Sequence, residues 1–152
     1  MGTDEDTLDL KTLDQLHNVV LEFGKTSQEL KKLCVGLVTA VPTLIFAITD
    51  SKLDASIFVA GLFIATSFWI ADSYTYYYQD KVRVRMADIF NDIRARNGLP
   101  TNAPGVGMST AGRIAKTRLA RSLFNPSQLV YGLLAAVAAL LWLAFAVGVI
   151  DN

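Results

Sequence analysis

Catalysis and ligation need nucleophiles, bases, metal ligands or phosphate-binding loops at workable spacing, and this 152-residue chain offers few of them. His17 is the only histidine and has no cysteine beside it, which argues against metal ligation and against a histidine-based triad. Asp88 and Asp92 stand four apart on one helical face, a spacing that can pair carboxylates. Arg85, Arg94 and Arg96 are close by, so the pair reads as part of a salt-bridged helix. Gly105 and Gly107 do not form a phosphate loop, because no strand precedes them and the Gly-Lys-Ser/Thr ending is missing. Cys34 is the single cysteine, which rules out an internal disulfide, and it reads as a small packed residue rather than a reactive thiol. What remains is Asp72, an acid inside an otherwise apolar run. An ionisable residue in such a run is a functional candidate, either in a pore or gate or as an interfacial carboxylate bonded to a partner. Thr66 and Ser67, a turn or more before it, either line a wet path or bond to their own backbone. No catalytic residue, metal site or cofactor is expected, and the chain reads as a non-enzyme.

The elements that position Asp72 are apolar helices. The chain is 52% hydrophobic and 18% charged, against about a quarter charged in a typical soluble domain. Residues 55–71 carry no charge. A tyrosine band follows (Tyr74, Tyr76, Tyr77, Tyr78), and then a charged stretch to Arg96 with no Pro and no Gly. Hydrocarbon, interface and basic cytosol succeed one another along a single helical reading, since an apolar run of about 17–25 residues can span a bilayer and Tyr favours its interface. Residues 33–49 form an earlier span with Pro42 in its middle, where a kink is either a gate hinge or a packing feature. Thr39 or Thr43 can satisfy backbone groups that the proline frees. Residues 50–54 are a tight turn, so these two spans form an antiparallel hairpin. Residues 129–150 form a third span, uncharged, with small-residue pairs at Gly132 and Ala136, Ala135 and Ala139, and Ala144 and Gly148. Gly61 and Ala65 make another such pair in the second span.

Outside the spans, Leu13, Leu16, Val20 and Phe23 make a short stripe at three-four-three spacing, continued by Leu30. It suits a helix lying on its neighbours or one that self-associates. Gly24 is expected to close this helix and Thr26 or Ser27 to cap the next. Gly and Pro then mark a loop of about ten residues after Arg96. Ser109 or Thr110 is expected to cap a short basic helix carrying Arg113, Lys116, Arg118 and Arg121, which ends before Asn125 and Pro126. A basic amphipathic segment next to a membrane settles on anionic headgroups. Nucleic-acid binding is disfavoured, because Phe124 is the only aromatic available there for stacking.

Charge sets the orientation. Residues 79–128 hold nine Lys or Arg against three acids, and Lys52 is the only cation in the segments beyond the other ends of the spans. The positive-inside rule then places the connector and the N-terminus inside and the C-terminus outside. The fold expected is an all-α membrane protein of three transmembrane helices with cytosolic helical extensions (N-in, C-out). It divides into a cytosolic N-terminal amphipathic helix (1–32), a transmembrane hairpin (33–78), a basic cytosolic helix-loop-helix (79–128) and a third transmembrane helix (129–152). The acidic N-terminus shows no signal-peptide pattern, and no lipidation motif is read at either end. The expected location is the inner membrane, multi-pass.

The run from Phe68 to Arg94, with Asp72, Tyr74, Tyr76, Tyr77, Tyr78, Asp80, Arg83, Arg85 and Asp88, resembles the junction of the SLATT-type membrane effectors of bacterial conflict systems, over roughly residues 33–96. In these a two-span hairpin leads into a cytosolic helix. The resemblance implies an oligomeric pore-forming or membrane-disrupting effector in antiviral defence, triggered by a cytosolic sensor protein or a nucleotide signal. The residues themselves, rather than the resemblance, mark Thr66, Ser67 and Asp72 as candidates for a pore or gate, and Arg83, Arg85, Arg113, Lys116, Arg118 and Arg121 as candidates for contact with the membrane surface or a trigger. The third span departs from the family's two-span pattern. The alternatives are a membrane adaptor that recruits a soluble partner, and an accessory subunit of a transporter. A homo-oligomer is expected because three thin helices cannot enclose an aqueous route alone.

Overall fold

Helix-favouring sequence produces two very long helices, the first of which runs through a glycine and a proline. The computed structural model describes residues 4–49, 54–99 and 115–148, with the side chains of 115–118 excepted. Helix α1 is Asp4–Ile48, α2 is Ala55–Arg96, α3 is Ala115–Leu123, and a 3₁₀ turn at Pro126–Gln128 leads into α4, Leu129–Ala146. Among the described residues the secondary structure is all helical, and three helices are long and apolar enough to cross a membrane.

The break expected at Gly24 is absent: α1 runs through it without interruption. A mid-helix Gly costs about 1 kcal/mol relative to Ala, and local packing offsets this. Gln79 of α2 donates from Nε2 to the Val20 carbonyl at 3.0 Å, directly beside Gly24. The two expected cap residues are occupied inside the helix. The Thr26 hydroxyl donates to the Glu22 carbonyl, and the Ser27 hydroxyl accepts from Lys31. Pro42 is also accommodated without ending α1. In the turn it disturbs, the Thr43 hydroxyl donates to the Thr39 carbonyl at 2.7 Å, and Thr39 donates to the Gly36 carbonyl at 2.8 Å.

Helix α2 is the common partner. α1 packs antiparallel along it, and α4 packs antiparallel along its apolar half. The less exposed face of α1 is one continuous stripe through Leu13, Leu16, Val20, Phe23, Leu30, Cys34, Val38, Val41 and Ile45. The three-four spacing read near the N-terminus therefore serves packing within the chain. Against α4, a Cβ on Gly61 would sit 3.9 Å from that of Ala138, and Phe58 meets Phe145 with ring centroids 5.5 Å apart. The two glycines of the small-residue pairs expected in the third span do not make this contact. Gly132 has open space where a Cβ would stand, and Gly148 lies past the helix end at φ +74°. α2 ends as a glycine-terminated helix should: Gly98 takes φ +67°, and the Leu99 and Gly98 amides donate back to Arg94 and Ala95.

Candidate functional site

The polar groups buried deepest lie where α1, α2 and the start of α4 converge. Lys31 comes 17 residues before the end of α1, and Asp72 comes 17 residues after the start of α2. Both therefore stand about 25 Å of helix from the adjoining ends of α1 and α2. Antiparallel packing puts them opposite each other, with Lys31 Nζ 3.1 Å from Asp72 Oδ2. Lys31 spends its hydrogen bonds on Ser27 Oγ (2.7 Å) and on Ser127 Oγ of the 3₁₀ turn (2.9 Å). One ammonium thus links α1, α2 and the entry to α4. The Asp72 side chain is 1% exposed and receives no hydrogen bond. The Tyr131 hydroxyl lies within electrostatic reach of both Asp72 and Cys34 but closes no hydrogen bond of good geometry. Gln128, at the start of α4, is buried with neither its amide oxygen nor its nitrogen partnered. Unpartnered buried polar groups are costly. This knot is therefore a place where a change in helix packing, or the arrival of a polar group, has a large energetic effect.

Around the knot the wall is aromatic. Trp69 Nε1 donates to the Leu123 carbonyl at 3.0 Å, fixing α3 to α2, and the Trp69 and Phe124 rings meet edge-on at 6.3 Å. Tyr74, Tyr77 and Tyr78 pack on one another with centroids 5.3–6.4 Å apart. Tyr76 points elsewhere, into a polar pocket shared with Asp80, Arg83 and Arg121.

The residues singled out from sequence are not all brought together. Thr66 lines a groove between α2 and α4, and its hydroxyl donates to the Leu62 carbonyl. Ser67 is exposed. Asp72 sits in the knot, separate from Arg83 and Arg121, which share the polar pocket, while Arg85 is exposed. Lys116 and Arg118 fall within α3, but their side chains lie outside the described residues, as do Arg113, Ser109, Thr110, Gly105 and Gly107 entirely.

Sequence reasoning missed Lys31 as the partner of Asp72, and it missed Gln128 and Tyr131. A signal for Lys31 was present. Once the turn is placed at residues 50–54, the pair centres on it, as does the contact of Gly24 with Gln79. At the far end of the hairpin the same register brings Arg96 to Glu5, Asp6 and Asp9. The Asp9 and Asp6 carboxylates, Asp9 foremost, raise the Arg96 pKa above its ordinary value. No signal in the linear sequence pointed to Gln128 or Tyr131, because they reach the knot only through the docking of α4. No family model matches the chain, and neither a curated protein nor a solved structure was found to be similar to it.

Proposed function

We propose that the chain is a non-enzymatic, multi-pass inner-membrane protein that works as an oligomeric pore-forming or membrane-disrupting effector, as its SLATT-like junction implies. In this reading the Lys31–Asp72 knot is the latch of the closed state. The N-terminal helix and the basic connector stand in the cytosol, and the C-terminus lies outside. The knot's distance from the adjoining ends of α1 and α2, about 25 Å, is close to the roughly 30 Å hydrocarbon thickness of a bilayer. That depth puts the latch at the cytosolic boundary, where long helices can pass a signal down to the spans.

The observation that carries the oligomer is what the spans leave bare. α1 and α4 each pack on α2, and their outward faces are apolar and exposed: Leu37, Leu44, Leu133, Leu140 and Leu143 among others. Gly36 of α1 has nothing in front of it. In lipid such faces suit close approach by other helices, and a chain whose helices share one central partner has no enclosed route of its own.

The test is dye release from liposomes containing the purified protein, together with membrane potential in cells inducing it. Asp72→Asn removes the charge that holds Lys31, and it is expected to increase release and depolarisation over the parent chain. Tight liposomes and unchanged potential with both proteins would refute the effector reading and favour the adaptor.

A further inference from the structure

Two cavities of different character meet at one turn. The first, about 270 Å³, is polar and is lined by Tyr76, Asp80, Arg83 and Arg121. The second, about 580 Å³, is almost wholly apolar and runs between α2 and α4 past Leu62, Ala65, Thr66, Leu129, Gly132 and Ala135. Phe124, Asn125 and Pro126 line both. The larger volume lies within the roughly 300–1,000 Å³ usual for small-ligand sites. Along α2 the linings extend from Leu62 to Arg83, 21 residues or about 30 Å of helix, more than the roughly 20 Å of one leaflet with its headgroups.

The charges grade along this surface. Among the described residues neither Arg83 nor Arg121 is in an ion pair, while Asp80 has a partner of its own. With both arginines and Asp80 counted, the polar end is net positive. Just inside the apolar end sits Gln128, 4% exposed, with both polar atoms of its side chain unpartnered. A surface that is cationic at one end and apolar beyond it matches an amphiphile's phosphate and acyl chain in turn.

The geometry points to a structural site for one anionic phospholipid of the cytosolic leaflet. Its phosphate is held by Arg83 and Arg121, and one acyl chain lies in the groove between α2 and α4. The proposal rests on the membrane reading above, but not on the effector activity. A helix from a second copy fits the groove less well, because it would bring no phosphate to Arg83 and Arg121. Arginine suits phosphate through its bidentate, charge-assisted hydrogen bonds.

The test uses the full-length chain, extracted from carbonate-washed membranes and delipidated. Native mass spectrometry counts bound lipid after addition of phosphatidylglycerol or phosphatidylcholine, with inorganic phosphate as a third probe. One phosphatidylglycerol per protomer is expected, preferred at least about tenfold over phosphatidylcholine, with no retention of phosphate alone. Arg83→Gln with Arg121→Gln should abolish the preference. Gly132→Leu, which fills the groove, should reduce the binding of both lipids. Equal binding of the two lipids, a preference that survives loss of both arginines, or a Gly132→Leu change that alters the oligomer while lipid binding stays intact would each overturn the site. A chain released by the carbonate wash would refute the membrane reading itself. Embedded protein without lipid preference refutes the site alone.

Discussion

Two charged contacts join the same pair of helices at different levels, and they are built in opposite ways. At the open end of the hairpin Arg96 faces three carboxylates, and its side chain is 35% exposed. At the convergence of three helices Lys31 faces a single carboxylate that is 1% exposed. The first is redundant and, Asp6 apart, open to water: losing one acid leaves two, and water screens the pairs with Glu5 and Asp9. The second has no substitute. Exposed pairs contribute little to stability, whereas a buried pair broken on one side leaves an uncompensated charge. The contrast suggests different duties. The Arg96 cluster closes the helix ends, where acids in the first turn of α1 and arginines in the last turn of α2 also suit the two helix dipoles. The Lys31–Asp72 pair fixes the register and ties in the entry to α4.

The largest effect expected is at the buried pair. Lys31→Met should destabilise the fold by about 3–5 kcal/mol, measured by unfolding in detergent micelles, while Lys31→Met combined with Asp72→Leu should recover most of the loss. A double variant no better than the single would mean that the pair is not acting as a pair. Packing at the contact of α2 with α4 comes next. Gly61→Leu overfills a site whose nearest neighbour is Ala138 and should cost about 1–3 kcal/mol. The same change at Gly36, which faces open space, should leave the stability of one chain unchanged or slightly higher and shift the oligomer distribution in cross-linking. Arg96→Ala should act locally: amide exchange over residues 4–12 speeds up, high salt mimics the change, and the apolar half of the hairpin keeps its protection. Smallest of all is Lys25→Ala, which breaks an exposed pair with Glu22 and should leave the unfolding midpoint unmoved. If Arg96→Ala proved as damaging as Lys31→Met, the contrast between the two contacts would fail.

Much of the helical architecture was legible because lipid-compatible helices announce themselves locally, by run length and by the absence of charge. The end of α2 at Gly98 and the break at Asn125 and Pro126 follow from backbone chemistry carried by single residues. The Gly24 break was misread because a local penalty of about 1 kcal/mol was weighed without the packing of α2 across it. Small-residue spacing marked Gly132 and Gly148 as places for a neighbouring helix, and within the chain it is Ala138 that α4 presents to Gly61. Spacing shows which residues share a face, and the rotation of a helix about its axis selects which face is used.

Hydropathy and charge asymmetry, read from the chain alone, determined three span-length apolar segments and a basic connector, since these are sums over neighbouring residues. Which groups meet was decided only in three dimensions. Lys31 finds Asp72 across 41 positions, and Gln128 and Tyr131 reach the same knot by the docking of α4. Such meetings depend on helix register and rotation, which residues distant in sequence set jointly.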